Sequence, residues 1–243
     1  MMIEAPGTMP RCYALVPCAG VGTRAGTAGP KQYETIAGRS LVAHTLQALG
    51  QVPRLAATLV VLSPDDRQFE TAAPGLDDAH VWVERCGGAT RADTVANGLA
   101  VLRERGAQPH DWVLVHDAAR CLVRPEWVDR LIDECMNDEV GGLLALPIAD
   151  TLKAQGRDTR VAATVDRGGK WAAQTPQMFR LGLLAPALAH ARPGVTDESS
   201  AVEALGHEPK LVRGDWENFK LTWPGDFALA ERLLATRPEN PHP

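Results

Sequence analysis

The stretch "CAGVGTRAGTAGPKQY", residues 18–33, sets glycines beside cations directly after an apolar run, "YALVP". Glycine lets backbone N–H groups approach an anion without interference from a Cβ. Ala19, Gly20, Val21 and Gly22 would form such a cradle, and Arg24 and Lys31 are long enough to reach over its contents. A Walker A loop is excluded, because it needs a Gly-Lys pair followed by Ser or Thr and the loop contains none. A dinucleotide fingerprint is met in outline by Gly20, Gly22 and Ala25, but it requires an acid roughly 20 residues further on. Residues 40–50 hold no acid, and the Gly29–Pro30 pair interrupts the helix that the fingerprint should open. What survives is a triphosphate cradle whose cations neutralise charge on the phosphorus under attack and on departing pyrophosphate.

Other segments carry matching chemistry. "VLVHDAAR" ends an apolar run with Asp117 and then Arg120, and in open α/β sheets ligands sit beyond the carboxyl ends of the strands. Asp117 is therefore placed to hold a metal ion or a hydroxyl. His116, inside the same apolar run, reads as a structural histidine rather than a base. "GGATRADTV" reads as a loop that starts with the pair Gly87 and Gly88 and opens a helix, with backbone N–H groups and the Arg91 and Thr94 side chains available. Cys18 borders the loop but reads as a small buried residue rather than a nucleophile.

The elements that must position these groups follow from pattern. "YALVP", "ATLVVL", "HVWV", "WVLVH" and "GGLLALPI" are short and apolar on both faces, as buried parallel strands are. Between them Val95, Leu99 and Leu102 recur at helical spacing, as do Val128, Leu131, Ile132 and Cys135 after Pro125. The same device returns after Pro224 with Phe227, Ala230, Leu233 and Leu234. This alternation predicts an α/β fold, a mostly parallel sheet with helices on both faces, in a single domain over residues 1–243. Residues 149–174 break the rhythm: they are polar, alternate in "TRVAATVDR" and carry turn glycines, which predicts a protruding β-arm. A two-stranded ribbon is marginal in water, so the arm is expected to pack on a second copy of the chain.

Composition narrows the class. A net charge of -5 argues against a general polyanion binder, so a basic cluster is a local site. Five cysteines without a CxxC pair suggest reduced thiols and a cytoplasmic protein. No apolar run approaches the ~20 residues that span a bilayer, and "MMIEAPGTMPR" does not read as a secretory signal.

The segments "PCAGVGTRAGTAGPKQY", "GGATRADTVANGL", "VLVHDAARCLV", "TVDRGGKWAAQTPQMF", "TDESSAVEALG" and "ENFKLTWPGD" occur in this order over almost the whole chain. Together they resemble the 2-C-methyl-D-erythritol 4-phosphate cytidylyltransferase family of the non-mevalonate isoprenoid pathway. The resemblance implies a Rossmann-like nucleotidyltransferase fold, CTP with Mg²⁺, and a homodimer formed through the β-arm. It implies catalytic roles for Arg24, Lys31, Arg167 and Lys220, the last two gripping the phosphate of the acceptor. It places the segment from Gly87 to Thr94 at the cytosine and ribose, and Asp117 near the phosphates and the acceptor. Arg120, Thr151 and Thr175 are expected to add acceptor contacts. Cys18 departs from the pattern, since the family commonly has alanine there. The nucleophile would be a phosphate oxygen, mostly ionised near neutral pH because its second pKa is about 6. Three rivals remain at this stage. Ribitol-5-phosphate cytidylyltransferases share the motifs, an NAD(P)-dependent oxidoreductase lacks its ribose acid here, and a non-catalytic nucleotide-binding regulator would leave Arg167 and Lys220 without a task.

Overall fold

The computed structural model describes residues 9–20, 29–76, 79–190 and 195–237. Arg24, Val21 and Gly22 therefore lie outside the described residues, as do both chain ends. In chain order the elements are β1 (Cys12–Cys18), β2 (Thr35–Ile36), β3 (Arg39–Ser40), α1 (Leu41–Gly50), β4 (Leu55–Leu62), α2 (Phe69–Ala72), β5 (Val81–Glu84) and α3 (Arg91–Glu104). There follow β6 (Trp112–Val115), α4 (Pro125–Cys135), β7 (Gly141–Pro147), β8 (Leu152–Gln155), β9 (Val161–Val165), β10 (Trp171–Arg180), α5 (Leu181–Ala189), α6 (Glu198–Glu203), β11 (Lys210–Arg213) and α7 (Pro224–Ala235).

Seven strands form the main sheet in the order β11-β7-β10-β6-β1-β4-β5. β1 pairs in parallel with β4 and β6, and so do β4 with β5 and β7 with β11. β10 is antiparallel to both its neighbours, β6 and β7. The mixed but mostly parallel α/β sheet agrees with the alternation of apolar runs and helical stretches. Both of its faces are covered. Along β1, Cys12, Ala14, Val16 and Cys18 face a core with α1 and α4, while Tyr13 and Leu15 face α3, α5 and α6. A strand buried on both faces has to be apolar at every position, which is why "YALVP" shows no alternation. Burying each such aliphatic side chain stabilises the fold by about 1.5–3 kcal/mol.

Helix ends follow local chemistry. Thr90 and Asp93 close a capping box on α3, and Pro125 and Pro224 occupy first turns of α4 and α7. "WAAQTPQMF" escaped the strand pattern because Gln174, Thr175 and Gln177 are polar, yet all three are buried in β10. Their hydrogen bonds explain this: Gln174 donates to the Asp215 carbonyl, and Gln177 donates to Asp197 and accepts from the Ser199 amide. The β10–β7 ladder breaks between Ala173 and Gln177, where Pro176 has no N–H to give. Within residues 149–174, β8 and β9 pair with each other as a separate antiparallel ribbon, and every residue of β9 is at least partly exposed. No helix among the described residues is long and apolar enough to cross a membrane.

Candidate active site

A cavity of about 240 Å³ opens where β1 and β6 end, bordered by Ala19, Gly20, Lys31, Gly88, Arg91, Thr94, Asp117 and Lys220. Segments spread over two hundred residues of sequence thus converge on one crevice at the carboxyl edge of the sheet, the usual place for a ligand in this architecture.

Lys31 is held in place from two directions. It opens a 3₁₀ turn, Lys31–Tyr33. In that turn the buried Gln32 donates inward to the Cys18 carbonyl at 2.8 Å, and the Tyr33 hydroxyl donates to Asp66 at 2.5 Å. Asp66 is itself anchored by the amides of Gln68 and Phe69. Lys31 then points its ammonium across the cavity to the Leu221 carbonyl, 2.5 Å away. The Leu221 amide bonds the Ala119 carbonyl, which brings Lys220 against the loop after β6.

Asp117 sits between two cations. Lys220 Nζ donates to Oδ2 at 2.6 Å and Arg91 Nε to Oδ1 at 2.9 Å. Burial by itself would raise the Asp117 carboxyl, but the charges of Arg91 and Lys220 outweigh it and hold the group well below the usual carboxylate range. Arg91 turns its other edge to Glu198, with Nη1 and Nη2 on the two carboxylate oxygens at 2.6 and 3.1 Å. This is the bidentate fork that fixes a guanidinium plane. Glu198, fully buried on α6, was missed by the sequence reading; its segment "TDESSAVEALG" carried a family resemblance but no assigned role. Glu198→Gln keeps the shape but removes the charge opposite Arg91. Breaking a largely buried pair on one side costs about 3–5 kcal/mol, less where a partner reaches solvent. With Arg91 partly exposed, urea unfolding should show a loss of about 2 kcal/mol; an unchanged midpoint would refute the anchoring role.

Several expected contacts are already committed inside the protein. Thr94 Oγ1 donates to the Thr90 carbonyl and accepts from the Gly88 amide, so it shapes the loop even though it borders the cavity. Gly87 and Gly88 are required by the protein's own packing: a Cβ at Gly87 would lie 2.3 Å from Ala19 Cβ, and one at Gly88 2.3 Å from Asp93 Cβ. Arg120 braces the neighbouring backbone, donating to the carbonyls of Asn218 at 2.6 Å and Ala173 at 3.2 Å. Thr175 is buried behind Asp117, where its Oγ1 accepts from the Asp117 amide at 3.0 Å and meets His116 Nδ1 at 3.1 Å. His116 Nε2 faces the Arg120 carbonyl, which can only accept, so Nε2 carries the proton and Thr175 donates to Nδ1. Burial pushes this imidazole down to about 4, so it is neutral and structural. Burial likewise pushes the Cys18 thiol up, which removes it as a nucleophile. Arg167 and Thr151 are exposed, Arg167 donating to the Ala149 carbonyl, and neither borders this cavity.

The arrangement is three cations and one carboxylate around a space bounded by backbone at Ala19, Gly20 and Gly88. Of the hydroxyls and thiol that line it, Thr90 is tied to Asp93 in the helix cap, Thr94 to the Thr90 carbonyl, and Cys18 is buried. That suits positioning and charge stabilisation on a phosphate-bearing substrate. The model of one family, IspD: 2-C-methyl-D-erythritol 4-phosphate cytidylyltransferase, matches residues 12–236. The chain belongs to this cytidylyltransferase family. It is 56% identical over 229 residues to the 2-C-methyl-D-erythritol 4-phosphate cytidylyltransferase of Laribacter hongkongensis, covering 93% of this chain and 97% of the relative. It is 59% identical over 236 residues to the bifunctional enzyme IspD/IspF of Albidiferax ferrireducens, covering 97% of this chain but only 56% of that longer protein. A crystal structure of 4-diphosphocytidyl-2C-methyl-D-erythritol synthase superimposes with a TM-score of 0.81 at 43% identity, covering 94% of this chain and all of the other. Cytidylyltransferase membership decides against the oxidoreductase reading of the glycine loop.

Proposed function

We propose that the chain transfers CMP from CTP to the phosphate of 2-C-methyl-D-erythritol 4-phosphate, giving 4-diphosphocytidyl-2-C-methyl-D-erythritol and pyrophosphate. The observation that carries this is the match of the cytidylyltransferase family over residues 12–236, joined to a cavity where Lys31, Arg91 and Lys220 surround Asp117. The acceptor phosphate oxygen attacks the α-phosphorus of CTP, the bond to the β-phosphate oxygen breaks, and pyrophosphate leaves with the electron pair. No proton has to be removed from an ionised phosphate, which agrees with a cavity rich in cations.

Lys31, with Arg24 from outside the described residues, neutralises charge on the triphosphate. Ala19, Gly20 and Gly88 border the nucleotide, and Val21, Gly22, Gly87, Arg91 and Thr94 shape or support its binding. Mg²⁺ usually takes one or two carboxylates and completes its shell with substrate phosphates and water. Asp117 is the carboxylate that borders the cavity, and two ion-pair contacts leave part of its lone-pair capacity unused. It would hold the ion, which when bound supplies further neutralisation of the triphosphate.

Lys220 grips the acceptor phosphate, with Arg167 delivered by the arm of a second chain in a homodimer; Thr151 lies at the base of the same arm. Arg120 and Thr175 act behind the acceptor by holding the Asn218 carbonyl and Asp117 in place. Free thiols at all five cysteines fit work in a reducing cytoplasm. Lys220→Ala should raise KM for the acceptor while CTP affinity measured by calorimetry stays largely intact. An equal loss for both substrates would move Lys220 to the nucleotide. The reaction itself is tested by supplying CTP with either methylerythritol phosphate or ribitol 5-phosphate and following pyrophosphate. Turnover confined to the first supports the reading, and turnover confined to the second overturns it.

A further inference from the structure

A second cleft, of about 510 Å³, opens between one side of α1, the start of α4 and the end of α7, and neither Lys31 nor Asp117 borders it. Its polar walls are Arg39, His44, Arg124 and Arg237, against one lining carboxylate, Glu126; Ala48 and Leu234 add apolar surface. Among the described residues that line it, cations outnumber carboxylates. A single carboxylate oxygen, Oε2 of Glu217, accepts from both Arg124 at 2.7 Å and Arg237 at 3.3 Å. Arg237 also donates to the Leu122 carbonyl at 2.6 Å, and Arg39 to Gln47 at 2.6 Å. The Nε atoms of Arg124 and Arg237 are both buried and have no hydrogen-bond partner. Two buried donors left unpaired on adjacent guanidiniums call for an acceptor, since such groups are nearly always satisfied. Burial, and then the neighbouring Arg124, lower the pKa of Arg237, which agrees with incomplete compensation.

We propose that this cleft is a second anion site, taking a phosphorylated small molecule whose phosphate lies among Arg39, Arg124 and Arg237 and whose body rests on Ala48 and Leu234. Guanidinium forks match phosphate oxygens in pairs, and three converging forks select a phosphate over a halide. The occupant is an effector rather than a substrate, because the cleft holds none of the cytidylyltransferase machinery. Its route to the chemistry is short. Glu217 belongs to the 3₁₀ turn Trp216–Asn218. The Asn218 carbonyl in that turn takes Arg120, and Lys220 follows two residues later. A phosphate on Arg124 and Arg237 competes with Glu217 for both of its cations and loosens that turn.

The test uses the full chain with inorganic phosphate as probe and potassium chloride at matched ionic strength as control. At phosphate roughly ten times its dissociation constant, the melting temperature should rise by about 3–6 °C. The rise should persist in Lys31→Ala, where the nucleotide cavity is impaired, and should be lost in both Arg39→Gln and Arg237→Gln. Arg39 donates to Gln47 at the surface, so its variant guards against a misfolded Arg237→Gln. No rise up to about 50 mM phosphate, a rise that vanishes in Lys31→Ala, or a rise retained by both arginine variants overturns the site. With phosphate present, acceptor KM should be lower for Arg39→Gln than for the wild type; equal values overturn the link through Glu217.

Discussion

Lys31→Ala is expected to lower kcat by about 10²–10³ while changing CTP affinity far less, the cost of losing one preorganised donor to developing charge. The geometry behind this is the two-sided anchoring of the Lys31–Tyr33 turn, through Gln32 on the Cys18 carbonyl and Tyr33 on Asp66. A cation fixed before the substrate arrives needs no reorganisation as charge moves onto pyrophosphate, so its effect falls on the transition state. A flexible surface lysine would instead contribute to binding in both states and change KM. Because the same ammonium also holds the Leu221 carbonyl, acceptor KM should be measured alongside. Steady-state pyrophosphate release, with CTP titrated calorimetrically, separates the readings. Unchanged kcat with a raised KM for CTP would sink the transition-state role.

Lys31→Ala and Arg167→Ala chains, each nearly inactive as homodimers, should restore roughly a quarter of wild-type activity when co-expressed at equal levels. The reasoning starts from the arm. Among the described strands the β8–β9 ribbon is paired only with itself and has little buried surface, and a two-stranded ribbon gains stability by packing elsewhere. Arg167 is exposed at its return turn and does not border its own chain's cavity. If the arm of one chain completes the site of the other, random pairing makes roughly half the dimers mixed, and each mixed dimer has one site with both residues intact. If Arg167 serves its own chain, every site carries one defect and co-expression restores nothing. A monomeric mass at working concentration would remove the premise. The outcome therefore separates a shared site from a self-contained one.

Much of the sheet was legible because its determinants are local. β1, β4, β5, β6 and β7 are apolar on both faces, and α3, α4 and α7 announce themselves by spacing and by Thr90, Pro125 and Pro224. β10 was not among the expected strands, and its first residues fell within the expected arm, because its buried glutamines are satisfied largely by Asp197, Ser199, Asp215 and Asn218, residues far along the chain. The glycine pair at residues 87 and 88 was legible as special, but the contacts that leave no room for a Cβ there, with Ala19 and Asp93, are made only in the fold.

By itself the sequence determined the kind of protein: an alternating α/β chain, a glycine-rich loop with cations, and six ordered segments specific enough to point to cytidylyl transfer. Strand and helix periods, caps and turns depend on neighbours a few residues away, so they can be read along a line. Only the tertiary structure decided which polar groups border the cavity and which are held by the protein itself. Arg91 meets Glu198 across 107 residues and Asp117 meets Lys220 across 103, and the same folding turns Thr94, Arg120 and Thr175 inward. A side chain has few donors and acceptors, and burial obliges each to find a partner. Whether that partner is substrate or protein is settled by which distant segments the packed sheet brings within three ångströms.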